Sequence, residues 1–475
     1  MKHILLLFIL NTFFVKHISA QNPNLEWAFG MGDSISCINN LTIGNKVLAA
    51  NDGHIYITGL FCNTVDFDYS EKKFELKSNI EPSNYIAKYD TNGNFIWAKK
   101  IEGEVLISSI KVDLENNIYL SGDFQGFISF DSTLTKTPFY FGSNGYADAI
   151  AIKIDSKGQL VWAKTFGNKN YENIASSEID ASGSLYLFGN FADTVDFDPS
   201  PNIYNLHSVN ERCDFFVVKL DKNGNFLWAK TIGGTGVDAL CNTTSNKLNN
   251  IYLIGRFSDS ISLKIANCNS TIYTQPSDTN INAHFSNLFI LKMDTAGNFA
   301  WIKQTLNSIS PYPKIVVDSY GDLYIGDNFT NTITFDTDAD KQTLNSTNKN
   351  DPTGYITKWD SEGTPLWPIQ MNGRGKCEIN AIKTDKYEDV LISGFYTDTL
   401  NYNAQDSTQR FIYSKNGNDA FIIKYSKKGE FIWAINNGNN GNSAAIDMSV
   451  DMNNNFYISG FFSDTIDFNP SPDTN

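Results

Sequence analysis

Tryptophan recurs at Trp27, Trp97, Trp162, Trp228, Trp301, Trp367 and Trp433, at intervals of 65 to 73 residues, each time in the same local sequence. A unit of this length used seven times cannot bury its own faces, so successive units must stack on one another to make a core. Each unit reads as four strands. Strand A is a short alternating run ending in Asp, such as Ile110-Lys111-Val112-Asp113. Strand B follows an Asn/Gly turn, as in Ile118 to Phe124, strand C is typified by Tyr85-Ile86-Ala87-Lys88-Tyr89-Asp90, and strand D carries the Trp, as in Phe95-Ile96-Trp97-Ala98-Lys99. The strands are rich in β-branched and aromatic residues, many at both parities, which calls for cover on both faces.

The link from C to D is Asp-x-x-Gly at Asp90, Asp155, Asp221, Asp294 and Asp360, with Ser426 as the variant. Asp caps backbone amides ahead of it and Gly takes the left-handed position that closes a hairpin. With A to B and C to D both tight, the long B to C and D to A connections emerge on one face. Four-stranded sheets repeated in this way predict an all-β fold, a seven-bladed β-propeller of four-stranded antiparallel blades with strand D at the outer edge. Gly59, Gly122, Gly189, Gly255, Gly394 and Gly460 recur in strand B, where we expect an indole of the facing blade to fill the space.

The chain opens on a D strand around Trp27 and stops at Asn475, where a seventh C strand is due. The N-terminal strand therefore closes the ring, the seventh blade is incomplete, and a longer chain is expected to supply the missing strand and a sorting domain. Before that strand, Lys2 precedes the apolar runs Ile4 to Leu10 and Phe13 to Val15, ending in Ile18-Ser19-Ala20. This predicts a secretory signal over 1–20 and one propeller domain over 21–475. Asn11, Thr12, Lys16 and His17 interrupt the stretch too often for a membrane span, and no later segment is apolar enough for insertion. The six cysteines contain no CxxC pair and read mostly as isolated buried thiols.

The unit Asp-x-x-Gly-x-x-x-Trp, preceded by a Phe-Ile-x-Lys-Tyr-like strand and followed by Val-Asp-x-x-Asn-Asn-x-Tyr-x-x-Gly, resembles the SBBP-type β-propeller repeat of secreted bacterial proteins. Asp196-Phe197-Asp198-Pro199-Ser200-Pro201, echoed at Asp467 to Pro472, resembles Bacteroidetes versions that often precede a type IX secretion sorting domain. The resemblance implies a secreted or cell-surface location and little about function.

Enzymatic propellers fit poorly. Quinoprotein repeats place Gly four residues after Asp, sialidase boxes two, and here it is three; only Arg212, Arg256, Arg374 and Arg410 are present, scattered over different units. His54, His207 and His284 have no metal-pair spacing. The alternating carboxylates Asp66/Asp68, Asp196/Asp198 and Asp336/Asp338 are weak candidates for Ca2+, against a reading as solvated turns; no other cofactor is expected. A net charge of -15 argues against nucleic acid.

The leading expectation is a secreted, non-enzymatic binding or adhesion scaffold, monomeric or part of a longer chain, whose partner is an extracellular glycan or protein. The D to A loops place Asp33, Glu104, Tyr171, Glu172, Asp238, Tyr312, Lys376 and Glu378 nearest the axis on the long-loop face, as candidate ligand-facing residues. No catalytic residue is assigned. The alternative is an extracellular polysaccharide lyase or hydrolase that uses carboxylates at the same place.

Overall fold

The computed structural model describes residues 11–18, 23–31, 46–79, 82–130, 139–265, 268–274, 287–306, 312–336, 341–346, 351–402, 410–438, 441–463, 466 and 468. The chain forms two compact units: a larger one of Glu104–Ser129 and Thr137–Gln370, and a smaller one of Met1–Gly103, Phe130–Lys136 and Met371–Asn475. Among the described residues every regular element is a β-strand, apart from one 3-10 turn at Val209–Glu211.

In the larger unit the strands follow the A-B-C-D order of the sequence. Asn173–Ile179, Leu185–Phe191, Asp214–Leu220 and Phe226–Ile232 form one antiparallel sheet in chain order. Asp238–Ser245, Asn250–Phe257, Asn287–Asp294 and Phe299–Leu306 repeat the arrangement. In the smaller unit Cys377–Thr384, Val390–Asn401, Phe411–Tyr425 and Phe431–Asn437 do the same.

Consecutive A strands lie side by side in each unit, joined by side chains and not by a backbone ladder. In the larger unit Ser177 Oγ donates to Ser109 Oγ at 2.9 Å and Thr243 Oγ1 to Ser176 Oγ at 2.7 Å, and Lys111 pairs with Glu178 at 3.0 Å. In the smaller unit Val47 N donates to Asp447 Oδ2 at 3.1 Å and Ala49 N to Ser449 Oγ at 2.9 Å. Strand A is thus where one repeat meets the next, and strand D lies beyond strand C, with Ser260–Ile265 added outside it in the Trp301 repeat.

The hairpins explain the recurring Asp. Asp221 Oδ1 accepts from the Asn223 and Asn225 amides, both at 2.8 Å, and Gly224 closes the turn at φ +79°. Asp90, Asp155, Asp294 and Asp360 bind the same two amides. The A to B turn uses the same device at Asp180, which also accepts the Tyr186 O–H at 2.9 Å. Lys219 of strand C then lies 4.7 Å from the Tyr186 ring and 3.3 Å from Asp180.

These C to D hairpins receive the indoles. A β-carbon built on Gly93, Gly224, Gly297 or Gly363 comes within 3.2 Å of Trp27, Trp162, Trp228 or Trp301, each from the preceding repeat. The indole N–H of Trp27, Trp162 and Trp301 donates to the carbonyl of Thr91, Lys222 and Ser361, at 3.1, 3.4 and 3.3 Å. The strand-B glycines therefore have another purpose than the one expected. A side chain at Gly122, Gly189, Gly255 or Gly394 would collide with the strand-A carbonyl of Leu106, Asn173, Ala239 or Glu378, and in the last three the glycine faces a β-bulge of strand A.

The seventh repeat also departs from expectation. Its C strand is present: Asn11–Ile18 lies between Phe456–Phe462 and Asn24–Met31, antiparallel to both, with Ser443–Val450 beyond. Eight residues of the leader-like segment thus form a strand, while residues 1–10 and 19–22 lie outside the described residues. Among the described cysteines, Cys62 is disulfide-bonded, whereas Cys213, Cys241 and Cys377 carry thiols. No helix among the described residues is long and apolar enough to cross a membrane.

The half-buried Trp228 packs against a cluster containing Tyr186, Phe289 and Met293 and against the Gly297 turn. Trp228→Ala should cost about 2 to 4 kcal/mol, below full truncation of a wholly buried indole. Leu227→Ala on the exposed side of the same strand should cost under about 0.5 kcal/mol. Denaturant titration of both variants checks the contrast; equal costs would mean that the indole does not join the repeats.

Candidate functional site

The long-loop face of the larger unit is built around paired acids. Strand C opens with Asp148 in one repeat and Asp214 in the next, and the following strand A is entered through Glu172 and opens with Asp238. The amides of Glu172 and Asp238 donate to the carbonyls of Ala147 and Cys213, at 2.9 and 2.8 Å, which ties each D to A loop to the start of strand C. The carboxyls pin the loops themselves. Glu172 accepts the Asn168 amide at 2.9 Å, Asp238 that of Gly234 at 2.7 Å, Asp214 that of Val209 at 2.8 Å, and Asp148 that of Asn144. Gly167 and Gly233 lean so closely on Asp148 and Asp214 that a side chain would collide with the carboxyl.

All four acids are buried, which raises the cost of charge. Burial, with the like charge of Asp148 beside it, raises the Glu172 pKa to about 7. Burial and the nearby Asp214 do the same for Asp238, to about 7, and burial raises Asp214 to about 6. Burial also raises Asp148. Around neutral pH this group therefore carries less charge than its composition implies.

Beside it stands Asp123, which follows Gly122 in strand B and is raised to about 7 by burial. The Tyr171 hydroxyl donates to Asp123 Oδ2 at 3.4 Å, while 47% of the residue stays exposed. Tyr146, 68% exposed, adjoins it, because the Tyr146 amide donates to the Asn170 carbonyl at 3.1 Å. Tyr312, 69% exposed, is close enough to Tyr171 to raise its pKa further. Cys213 is pushed up to about 12 by burial and by Asp214, Asp238 and Glu172, so it holds a neutral thiol and not a nucleophilic thiolate. Chemically this is a set of exposed tyrosine rings over buried carboxyls that are partly protonated near neutral pH.

Of the expected ligand-facing residues, Tyr171, Glu172, Asp238 and Tyr312 belong to this group, but Glu172 and Asp238 hold loops from within and do not face solvent. Glu104 is exposed on the strand Phe95–Val112. Lys376 and Glu378 form a partly exposed ion pair of 3.7 Å in the smaller unit, with Lys376 also 4.7 Å from the Phe395 ring. Asp33 lies outside the described residues. Asp123, Asp148, Asp214 and Tyr146 were not among the expected residues; the signal available was the repeat of Asp at the first position of strand C.

The alternating carboxylates close ribbons. Asp196 Oδ1 accepts from Asp198 N at 3.1 Å and Tyr204 N at 2.8 Å, and Asp66 binds the amides of Asp68 and Phe74 in the same way. The residue between, Phe67 or Phe197, is buried, so the alternation is that of a strand with one face in the core. The carboxyl of Asp336 and the whole of Asp338 lie outside what is described. Among the described residues no three His, Cys, Asp or Glu are grouped as ligands for a metal ion.

No family model matches the chain. It is 25% identical over 511 aligned positions to an uncharacterized WD repeat-containing protein of Acanthamoeba polyphaga mimivirus, covering 92% of this chain and 36% of that one. The chain therefore spans about a third of the length of that relative. Among solved structures, a protein of unknown function from Bacteroides caccae is similar at TM-score 0.31 and 9% identity, over 76% of this chain and 94% of its own. An apocarotenoid oxygenase from Synechocystis is similar at TM-score 0.37 and 11% identity, over 90% of this chain and 91% of its own. Neither likeness carries an assignment. The chain is an all-β, propeller-like repeat protein with a WD repeat-containing relative.

The buried acids set a pH dependence. A carboxyl whose folded pKa lies above its unfolded value contributes stability while protonated and loses it as pH rises through the folded value. Asp238, Glu172, Asp214 and Asp123 have that sign, with folded values of about 6 to 7 against ordinary values of 3.8 for Asp and 4.5 for Glu. The hairpin acids Asp90 and Asp221 have the opposite sign: burial works against them, but Asn side chains and backbone amides hold them below 3.8. Stability should therefore fall from about pH 4 to about pH 7, and fall on the acid side below about pH 4. Asp238→Asn should flatten the alkaline limb in thermal melts; an unchanged slope would show that this acid ionises freely.

Proposed function

We propose that the protein is a seven-bladed propeller that works as an exported, non-enzymatic binding scaffold, and that the long-loop face of its larger unit takes a neutral or cationic glycan chain. The carrying observation is Tyr171: its hydroxyl is tied to Asp123 at 3.4 Å while the ring remains 47% exposed, beside the exposed Tyr146. A tyrosine fixed at its polar end and bare on its ring presents apolar area at low entropic cost, which suits the apolar face of a sugar. The net charge of -15 disfavours anionic polymers.

The seven Trp-anchored units and the WD repeat-containing relative support the ring reading. The leader-like N-terminus and the Cys62 disulfide support export, since disulfides persist in oxidising compartments. The hydrolase alternative needs carboxyls that touch substrate, and those with raised pKa here are buried and bound to loop amides.

A glycan array with the wild-type protein and the Tyr146→Ala/Tyr171→Ala double variant tests this. Binding to a subset of glycans is expected, and the double variant should lose about tenfold or more in affinity, the loss of roughly 1.4 kcal/mol. Binding unchanged in the double variant would put the site elsewhere, and release of reducing ends from polysaccharides would favour the enzyme.

A further inference from the structure

The strand Asn11–Ile18 repeats, in backbone pairing and in sequence pattern, what the C strands of four other repeats do. Lys16 is opposite Tyr457 on one side and Trp27 on the other. In the same way Lys88 is opposite Tyr56 and Trp97, Lys153 opposite Tyr119 and Trp162, Lys219 opposite Tyr186 and Trp228, and Lys292 opposite Tyr252 and Trp301. The register slips directly after that Lys each time: between Lys16 and His17, Lys88 and Tyr89, Lys153 and Ile154, Lys219 and Leu220, and Lys292 and Met293. Phe13-Phe14-Val15-Lys16-His17 also fits the pattern of Phe216-Val217-Val218-Lys219-Leu220 and Phe421-Ile422-Ile423-Lys424-Tyr425. The one difference is reach. Lys16 precedes Trp27 by eleven positions, whereas nine separate Lys88 from Trp97 and Lys219 from Trp228, so this link is two residues longer.

A strand in this position has ladder partners on both sides, and its loss leaves two facing rows of unpaired backbone groups, a stronger template for strand addition than a single sheet edge. The segment is also the one whose composition reads as a cleavable leader, so processing and sheet completion compete for the same residues. We propose that the place held by Asn11–Ile18 is a strand-acceptor site, which in a chain severed from its leader binds an extended segment of another polypeptide with the pattern Phe-Phe/Ile-Val/Ile-Lys-aromatic or aliphatic. Specificity comes from the register, which sets the Lys opposite Tyr457 and Trp27, and affinity from the two ladders.

The test uses the full chain with a protease site placed in residues 19–22, cut after folding, and a fluorescent peptide of the sequence Asn-Thr-Phe-Phe-Val-Lys-His-Ile. The cut chain should exchange its leader for the labelled peptide in mild denaturant, and the amides of Phe456–Phe462 should stay protected from hydrogen exchange. A scrambled peptide, or one carrying Val15→Pro, should bind at least about tenfold more weakly, because proline removes a ladder donor. Equal uptake of the scrambled peptide, equal uptake by the uncut chain, or no uptake after the leader has been displaced would overturn the proposal. In the uncut chain, Val15→Pro should speed exchange of the Phe456–Phe462 amides about tenfold or more and leave Leu185–Phe191 unchanged. Unchanged exchange in both strands would equally overturn it.

Discussion

The contact on which the architecture depends is the seat of an indole on the next hairpin, made by Trp27, Trp162, Trp228 and Trp301. A sheet of four short strands is not stable with its faces bare, so each repeat needs a neighbour. The Trp ring supplies apolar area, the N–H of Trp27, Trp162 and Trp301 finds a carbonyl one residue past the hairpin Asp, and the hairpin Gly leaves room for the ring to come close. Because Asp binds two amides of that turn, the receiving surface is rigid before the ring arrives. The recurring geometry of the hairpin is thus as much a part of the interface between repeats as the indole. A side chain in place of Gly224 would strain a turn at φ +79° and also push Trp162 away.

The opposite end of each sheet solves a different problem with the same residue type. Long loops leave amides that must be satisfied away from any ladder, and a buried carboxyl can bind them. Asp148, Glu172, Asp214 and Asp238 do so, at the cost of placing acids near one another inside the protein. Partial protonation relieves that cost. The hairpin residues Asp90 and Asp221, half-buried and hydrogen-bonded to Asn, stay ionised at the other end. One amino acid therefore serves two environments, with its protonation set by burial.

This division explains what could be read from the sequence. The hairpins, the four-strand unit and the strand order depend on local spacing, Asp to Gly and Lys to Trp, and local spacing survives in a one-dimensional text. The purpose of Gly189 and Gly255 was hidden, because it depends on a β-bulge in the partner strand that no periodicity reveals. The burial of Glu172 and Asp238 was hidden as well: a loop acid next to Tyr171 looks exposed until the C-strand carbonyls that receive the two amides are known. The C strand of the seventh repeat was written in plain residues, Phe13 to His17, but stands ahead of its D strand in a segment whose composition reads as a leader. Composition and strand pattern make opposite claims on the same eight residues.

A single register position shows how a uniform scaffold carries different surfaces. The residue after the strand-B glycine is Asp123, Asn190 and Arg256 in successive repeats of the larger unit, and Leu60, Phe395 and Phe461 in the smaller one. Backbone pairing there is the same throughout, so nothing in the fold demands one chemistry. Asn190 uses its amide to bind both the N–H and the carbonyl of Leu240 in the next strand A, at 2.7 and 3.3 Å, whereas Asp123 meets the Tyr171 hydroxyl. Substitution at this position exchanges an interstrand tie for a support under an exposed ring without touching the ladder. Recognition can therefore diverge from repeat to repeat while the indole, the hairpin and the bulge continue to hold the sheets together.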